Sequence, residues 1–126
     1  MNQVLILAGS NLDEVNHLKL AQQKLIQNFK LLKSSQAVYT QAVGSQYQNR
    51  FLDQVFLIET VLEQAALISK LKTIEMELGR NPQQKEQGLI SIDLYVLAWN
   101  GAWIDQELLQ DELIPAIVKE VVSLQN

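Results

Sequence analysis

Apolar positions along the chain follow two rhythms, one of period two and one of three to four. Gln3–Ala8 (QVLILA) is a short apolar run stopped by Gly9, the pattern of a buried strand. Leu18, Ala21, Leu25 and Phe29 then recur at helical spacing behind the cap-type residues Asn11 and Asp13, which predicts a helix from about Asp13 to Phe29. Leu31–Tyr39 reads as a second strand, Thr40–Arg50 as a polar loop and Phe51–Thr60 (FLDQVFLIET) as a third strand. Thr60 and Glu63 have the spacing of a capping box, in which a hydroxyl and a carboxylate satisfy each other's free helix amides. Leu67, Ile68, Leu71, Ile74 and Leu78 follow as a helix face, closed by Gly79 as its C-terminal stop. After a polar stretch, Arg80–Gly88, the longest strand runs Leu89–Trp99. Asn100-Gly101 is a two-residue hairpin turn returning through Ala102–Ile104, and Pro115 suits the first turn of a last helix.

The order β-α-β-β-α-β, with a tail hairpin and short helix, predicts an α+β fold, a ferredoxin-like sandwich built as one domain over residues 1–126. Alternation along the longest strand assigns Ile90, Ile92, Leu94, Val96 and Ala98 to the core. Leu89, Ser91, Asp93, Tyr95 and Trp99 fall on the other face. Trp99 and Trp103 flank the tight turn and are expected as cross-strand partners.

Composition narrows the function classes. The chain is 48% hydrophobic and carries a net charge of −4, a balance that argues against a nucleic-acid binder, which needs a basic surface. Any phosphate ligand must then be met by basic groups concentrated locally. There is no cysteine, so disulfides and thiolate metal sites are excluded. The N-terminal apolar run is too short for a signal peptide or a membrane span, and the expectation is a soluble, cytoplasmic protein. The single histidine, His17, is read as surface.

Five stretches carry a resemblance. They are LAGSNL (Leu7–Leu12), AVYTQAVG (Ala37–Gly44), FLDQVFLIET (Phe51–Thr60), IEMELGR (Ile74–Arg80) and GLISIDLYVLAWNG (Gly88–Gly101). In this order the chain resembles the 6-hydroxymethyl-7,8-dihydropterin pyrophosphokinases of folate biosynthesis. The resemblance implies pyrophosphoryl transfer from ATP to the pterin hydroxymethyl group, giving AMP, with two Mg2+ ions bridging the triphosphate. It implies small-molecule pterin and nucleotide partners, no nucleic acid and no membrane, and leaves a homo-oligomer open. The family holds its ions on an Asp-x-Asp pair, because magnesium is bound through one or two carboxylates plus phosphate oxygens and paired ions clamp attacking and leaving oxygens. Asp93 matches the first acid and is the metal-ligand candidate; the second position is Tyr95, a phenol with an ordinary pKa of about 10 and a poor magnesium ligand.

By the same resemblance Arg80 is the catalytic cation, Glu75 and Lys85 belong to the nucleotide side, and Phe51, Asp53 and Gly44 to the pterin side. Phe51 matches a stacking aromatic. Asp53 stands where the family usually has an asparagine, and an ionised carboxylate cannot donate to the pterin carbonyl. The arginine-rich loop of the family reads NPQQKEQGLIS here, and the family's Pro-His step in the tail matches Pro115-Ala116. Several residues also have plainer explanations. Arg80 suits a helix C-terminus, Asp93 a solvated strand, Glu75 a solvated helix surface and Phe51 any strand. The expectation is therefore a family member with lost or strongly reduced transfer activity, with an active pterin pyrophosphokinase as the alternative.

Overall fold

The computed structural model describes residues 1–41, 49–104 and 113–122. Its elements are β1 (Asn2–Ser10), α1 (Glu14–Asn28), β2 (Lys30–Ser34), β3 (Val38–Thr40), β4 (Phe51–Thr60), α2 (Gln64–Glu77), α3 (Pro82–Glu86), β5 (Asp93–Trp99), β6 (Ala102–Trp103) and α4 (Leu113–Val118). One antiparallel sheet has the order β2-β4-β1-β5-β6, and β3 also pairs with β4. This is the mixed helix and antiparallel sheet arrangement that the element order predicts. Among the described residues no helix is long and apolar enough to cross a membrane.

Two hydrophobic clusters clothe the two faces of the sheet. Val4, Ile6 and Ala8 of β1 and Phe56 and Ile58 of β4 meet Leu18, Ala21 and Leu25 of α1 and Leu67, Leu71 and Ile74 of α2. On the other face Leu5, Val55, Leu97 and Ala98 meet Ile114, Ile117 and Val118 of α4. Each large side chain fully removed from water contributes about 1.5–3 kcal/mol. β1 and β4 are apolar on both faces because each face has helices over it.

The structure corrects several boundaries. The expected strand Leu31–Tyr39 is two strands, β2 and β3, both on β4. Ser35 divides them: its hydroxyl accepts from the Val55 amide at 2.9 Å, replacing a main-chain partner in the ladder. The capping box does not form. Thr60 ends β4 and accepts from the Leu62 amide at 3.1 Å, and Glu63 takes the cap position without a side-chain cap bond. The polar stretch Arg80–Gly88 contains α3, because Asn81 caps it by accepting from the Gln84 amide at 2.9 Å and Pro82 fits the first turn.

β5 begins only at Asp93, and its alternation is interrupted. Leu5 pairs with Ala98 and Ile6 with Val96, so Leu97 is the extra residue of a bulge. An extra residue reverses the facing of everything after it. Ala98 therefore packs in the α4 cluster and Trp99 against the α1–α2 cluster, opposite to the straight alternation. Trp103 lies opposite Ala98, in the α4 cluster, so the two tryptophans are on different faces and not cross-strand partners. The hairpin turn forms as expected, with Asn100 at φ 49° and Gly101 at φ 84°.

Candidate functional site

The C-terminus of α2 aims the first group of polar side chains. Leu78 is the C-cap residue and Gly79 follows at φ 94°, a conformation glycine adopts without a Cβ clash. The Gly79 amide donates to Met76 at 3.1 Å and the Arg80 amide to Glu75 at 3.0 Å, the paired bonds of a Schellman ending. That reversal folds Arg80 back beside Glu75, one turn up the same helix. Arg80 Nη1 then donates to Asp93 Oδ1 at 2.9 Å and forms an ion pair with Glu75 Oε2 at 3.0 Å.

Glu75 is not solvated helix surface: it is buried. Its Oε2 accepts from the Leu94 amide at 2.7 Å. The carboxylate thus caps a stretch of β5 ahead of β6, which pairs only with Ala98 and Trp99. Burial pushes the Glu75 carboxyl above its ordinary value. The Leu94 hydrogen bond and the Arg80 charge pull it back down, and the Asp93 carboxylate beside it pushes it up again. Burial prevails, because the two opposing groups do not replace the lost water.

Against this group lies a cavity of about 790 Å³ between α2, α3 and the edge of β5. Ile68, Leu71 and Met76 form one wall, Leu94, Val96 and Ile104 another. Lys72, Arg80 and Lys85 bring positive charge to it, beside Glu75, Asp93 and Tyr95. An apolar cavity that also carries cations can take a flat ring bearing anionic groups.

The second group gathers around Gly9. Gly9 pairs with Asp53 on one side and with Asp93 on the other, so the three residues form one row across β4, β1 and β5 and share a face. The Asp53 carboxylate is buried and accepts from Thr40 Oγ1 at 2.6 Å. It lies over Gly9 so closely that a Cβ there would stand 2.5 Å from Asp53 Oδ1 and 3.7 Å from the Phe51 ring. Asp53 and Phe51 therefore crowd one glycine, whose missing side chain leaves them their room, and Thr40 holds Asp53 from the far side of β4.

The structure thus brings Arg80, Glu75, Asp93 and Lys85 to one cavity, and Phe51 and Asp53 to the adjoining Gly9 row. Gly44 lies outside the described residues. Thr40 lies opposite Phe51 in the β3–β4 register and so meets Asp53 diagonally, two residues further along β4, a contact set by strand pairing. His17 is half-buried, with Nδ1 2.5 Å from the Leu12 carbonyl oxygen, rather than a free surface group.

Among the described residues no three His, Cys, Asp or Glu side chains are gathered as a metal centre. Asp93 is engaged by Arg80, Glu75 by Leu94 and Arg80, and the next residue of β5 on the face of Asp93 is Tyr95. A pair of magnesium ions does not fit this donor set, which offers one strand carboxylate where a shared two-ion site needs more.

A family model described as "7,8-dihydro-6-hydroxymethylpterin-pyrophosphokinase (HPPK)" matches residues 5–119. The chain is also similar to the "2-amino-4-hydroxy-6-hydroxymethyldihydropteridine pyrophosphokinase" of Aquifex aeolicus (strain VF5). The two are 31% identical over 103 residues, 81% of this chain and 64% of that relative. The chain therefore spans a little under two-thirds of the relative's length. A family match that runs from β1 through α4 takes in every strand of the sheet and both groups of side chains, and the chain belongs to the 6-hydroxymethyl-7,8-dihydropterin pyrophosphokinase family.

Proposed function

We propose that this chain keeps a nucleotide site and a pterin site of the family kind but carries out pyrophosphoryl transfer weakly or not at all. The observation that carries the reading is the state of Asp93: its partner position is Tyr95, and its carboxylate is held by Arg80 at 2.9 Å. Phosphoryl transfer leaves a protein mainly positioning and charge neutralisation to supply. Each missing preorganised donor costs about a hundred- to a thousandfold in rate. Arg80 and Lys85 line the cavity with Lys72, but the stretch between Arg80 and Asp93 holds no other arginine or lysine.

In this reading ATP lies in the cavity, with its ring between α2 and β5 and its phosphates toward Arg80 and Lys85. The pterin lies on the Gly9 row, stacked on Phe51 and read by Asp53 and Thr40. The work of the chain is binding, in the cytoplasm, rather than turnover.

The second reading is an active pterin pyrophosphokinase in folate biosynthesis, favoured by the cavity and by the intact grouping of Phe51, Thr40 and Asp53. AMP formation from magnesium-ATP and 6-hydroxymethyl-7,8-dihydropterin separates the two. Turnover on the order of 1–100 per second establishes the active enzyme. Binding of either ligand with turnover lower by about four powers of ten or more supports the first reading, given the stated cost per missing donor. Binding of neither rejects both.

A further inference from the structure

Asn11 has a hydrogen-bonding pattern that neither the fold nor the two ligand groups account for. It is 2% exposed, lies just past the end of β1, and is not the cap of α1, whose N-cap position is Asp13. Its side chain uses both ends of the amide on distant main chain. Nδ2 donates to the Gly88 carbonyl at 2.9 Å and Oδ1 accepts from the Ile90 amide at 2.6 Å. Its own amide donates to the Ile90 carbonyl at 3.1 Å, and its carbonyl accepts from Asn49 Nδ2 at 3.4 Å.

These bonds tie two segments to Asn11, and the Ser10 hydroxyl beside it also donates to the Ile90 carbonyl at 3.4 Å. Gly88–Ile90 connects α3, which carries Lys85, to Asp93 at the start of β5. Asn49 stands two residues before Phe51. We infer that Asn11 is a positioning residue that couples the nucleotide side to the pterin side, holding the Gly88–Ile90 segment with its amide and the Asn49 approach with its carbonyl. The inference rests on the two-site reading proposed above. Only an amide does this work: the main chain offers a carbonyl and an N–H side by side, and a carboxylate of the same shape lacks the donor for the first. A helix cap or a core contact would need one polar end, not both.

The coupling is measurable as the factor by which one ligand changes the other's affinity, a quantity that loss of stability alone does not alter. The full chain is titrated with a non-hydrolysable ATP analogue plus magnesium, with the pterin, and with each in the presence of the other. Four chains are compared: the parent, Asn11→Asp, Asn49→Ala and Leu25→Ala. Leu25 lies in the α1 core, far from the junction, and controls for destabilisation. Asn49 is exposed, so its variant folds even if Asn11→Asp does not.

The expected result is a parent in which each ligand tightens the other by about fivefold or more, the lower range of measured coupling. In Asn11→Asp and Asn49→Ala that factor falls toward one, while Leu25→Ala keeps it. Unchanged coupling in both junction variants, equal loss in Leu25→Ala, or a parent with no coupling overturns the inference and leaves the proposed sites standing. A parent that binds neither ligand rejects the proposed function, and the inference falls with it.

Discussion

Arg80 donates to Asp93 at 2.9 Å, so the one strand acid matched to the family's metal pair already holds a cation supplied by the chain itself. The same guanidinium reaches Glu75 at 3.0 Å, and both contacts follow from the Schellman ending at Gly79. Any divalent ion at Asp93 must displace or share this partner.

Arg80→Gln therefore raises cation affinity at Asp93. Unit charges about 4 Å apart near a protein surface interact by about 1–4 kcal/mol, so a gain of about fivefold or more is expected. Titration with Mn2+ followed by its paramagnetic signal reads it directly. The variant is also less stable by about 1–3 kcal/mol, because the buried Glu75 loses a charge-assisted partner. Cation affinity equal to or below the parent's would mean that Arg80 does not compete.

Tyr95→Asp tests the position that the resemblance matches to the family's second metal-binding acid. Tyr95 is 37% exposed, so a carboxylate there is not stripped of water and the variant folds. Magnesium affinity rises, but AMP production stays low because the loop cations remain absent; each missing donor costs about two to three powers of ten. Recovery of ordinary kinase turnover from this single change would place the whole defect at Tyr95 and refute the weight given to the loop.

Glu75 makes a pH prediction of definite sign. Its folded-state pKa is raised above the ordinary 4.5, chiefly by burial. In the window above 4.5 the folded chain binds this proton more tightly than the unfolded chain, so stability from this group is present at low pH and declines as pH rises through the folded pKa. Glu75→Gln keeps an acceptor for the Leu94 amide and removes the titration. The difference between parent and variant in urea midpoints should shrink in the parent's favour at acid pH and grow against it toward neutrality. A flat difference curve would contradict the burial.

Gly9→Ala and Asp53→Asn probe the proposed pterin row from opposite directions. A methyl on Gly9 would meet Asp53 Oδ1 at 2.5 Å and must push it aside, so pterin affinity falls by about tenfold, equivalent to about 1.4 kcal/mol, with nucleotide affinity little changed. Asp53→Asn keeps an acceptor for Thr40 and adds a donor for the ring carbonyl. One net hydrogen bond is worth about 0.5–1.5 kcal/mol, so pterin affinity rises about two- to tenfold. Weaker binding by Asp53→Asn would show that the carboxylate is itself the preferred partner of this chain's ligand.

Much of the fold was legible because its signals are local. Phe51–Thr60 forms the strand its alternation foretold, the α1 and α2 faces bury the leucines their spacing marked, and Asn100-Gly101 makes the hairpin turn. The misread places are those where a polar side chain intervenes from a distance or one extra residue changes a phase. Ser35 splits a strand by accepting from Val55, and Leu97 bulges and exchanges the faces of Ala98 and Trp99. Asn81-Pro82 is a local helix-start signal that the polar composition of the surrounding run conceals. Among the site candidates, Arg80, Glu75, Asp93 and Lys85 converge on one cavity, whereas Thr40 was marked only by its place in a family-like stretch and Asn11 by that and by a cap-type side chain that caps nothing here.

By itself, then, the order of residues determined most of the strands and helices, though neither α3 nor the break at Ser35, and that Gly79 ends a helix. These depend on neighbours within a turn or a pleat. Only the tertiary structure decided that Gly9 lies between Asp53 and Asp93, that Arg80 is spent on two carboxylates, and that Glu75 is buried against the Leu94 amide. Those facts are set by strand order and register, which join residues tens of positions apart through backbone hydrogen bonds and core packing that no local pattern encodes.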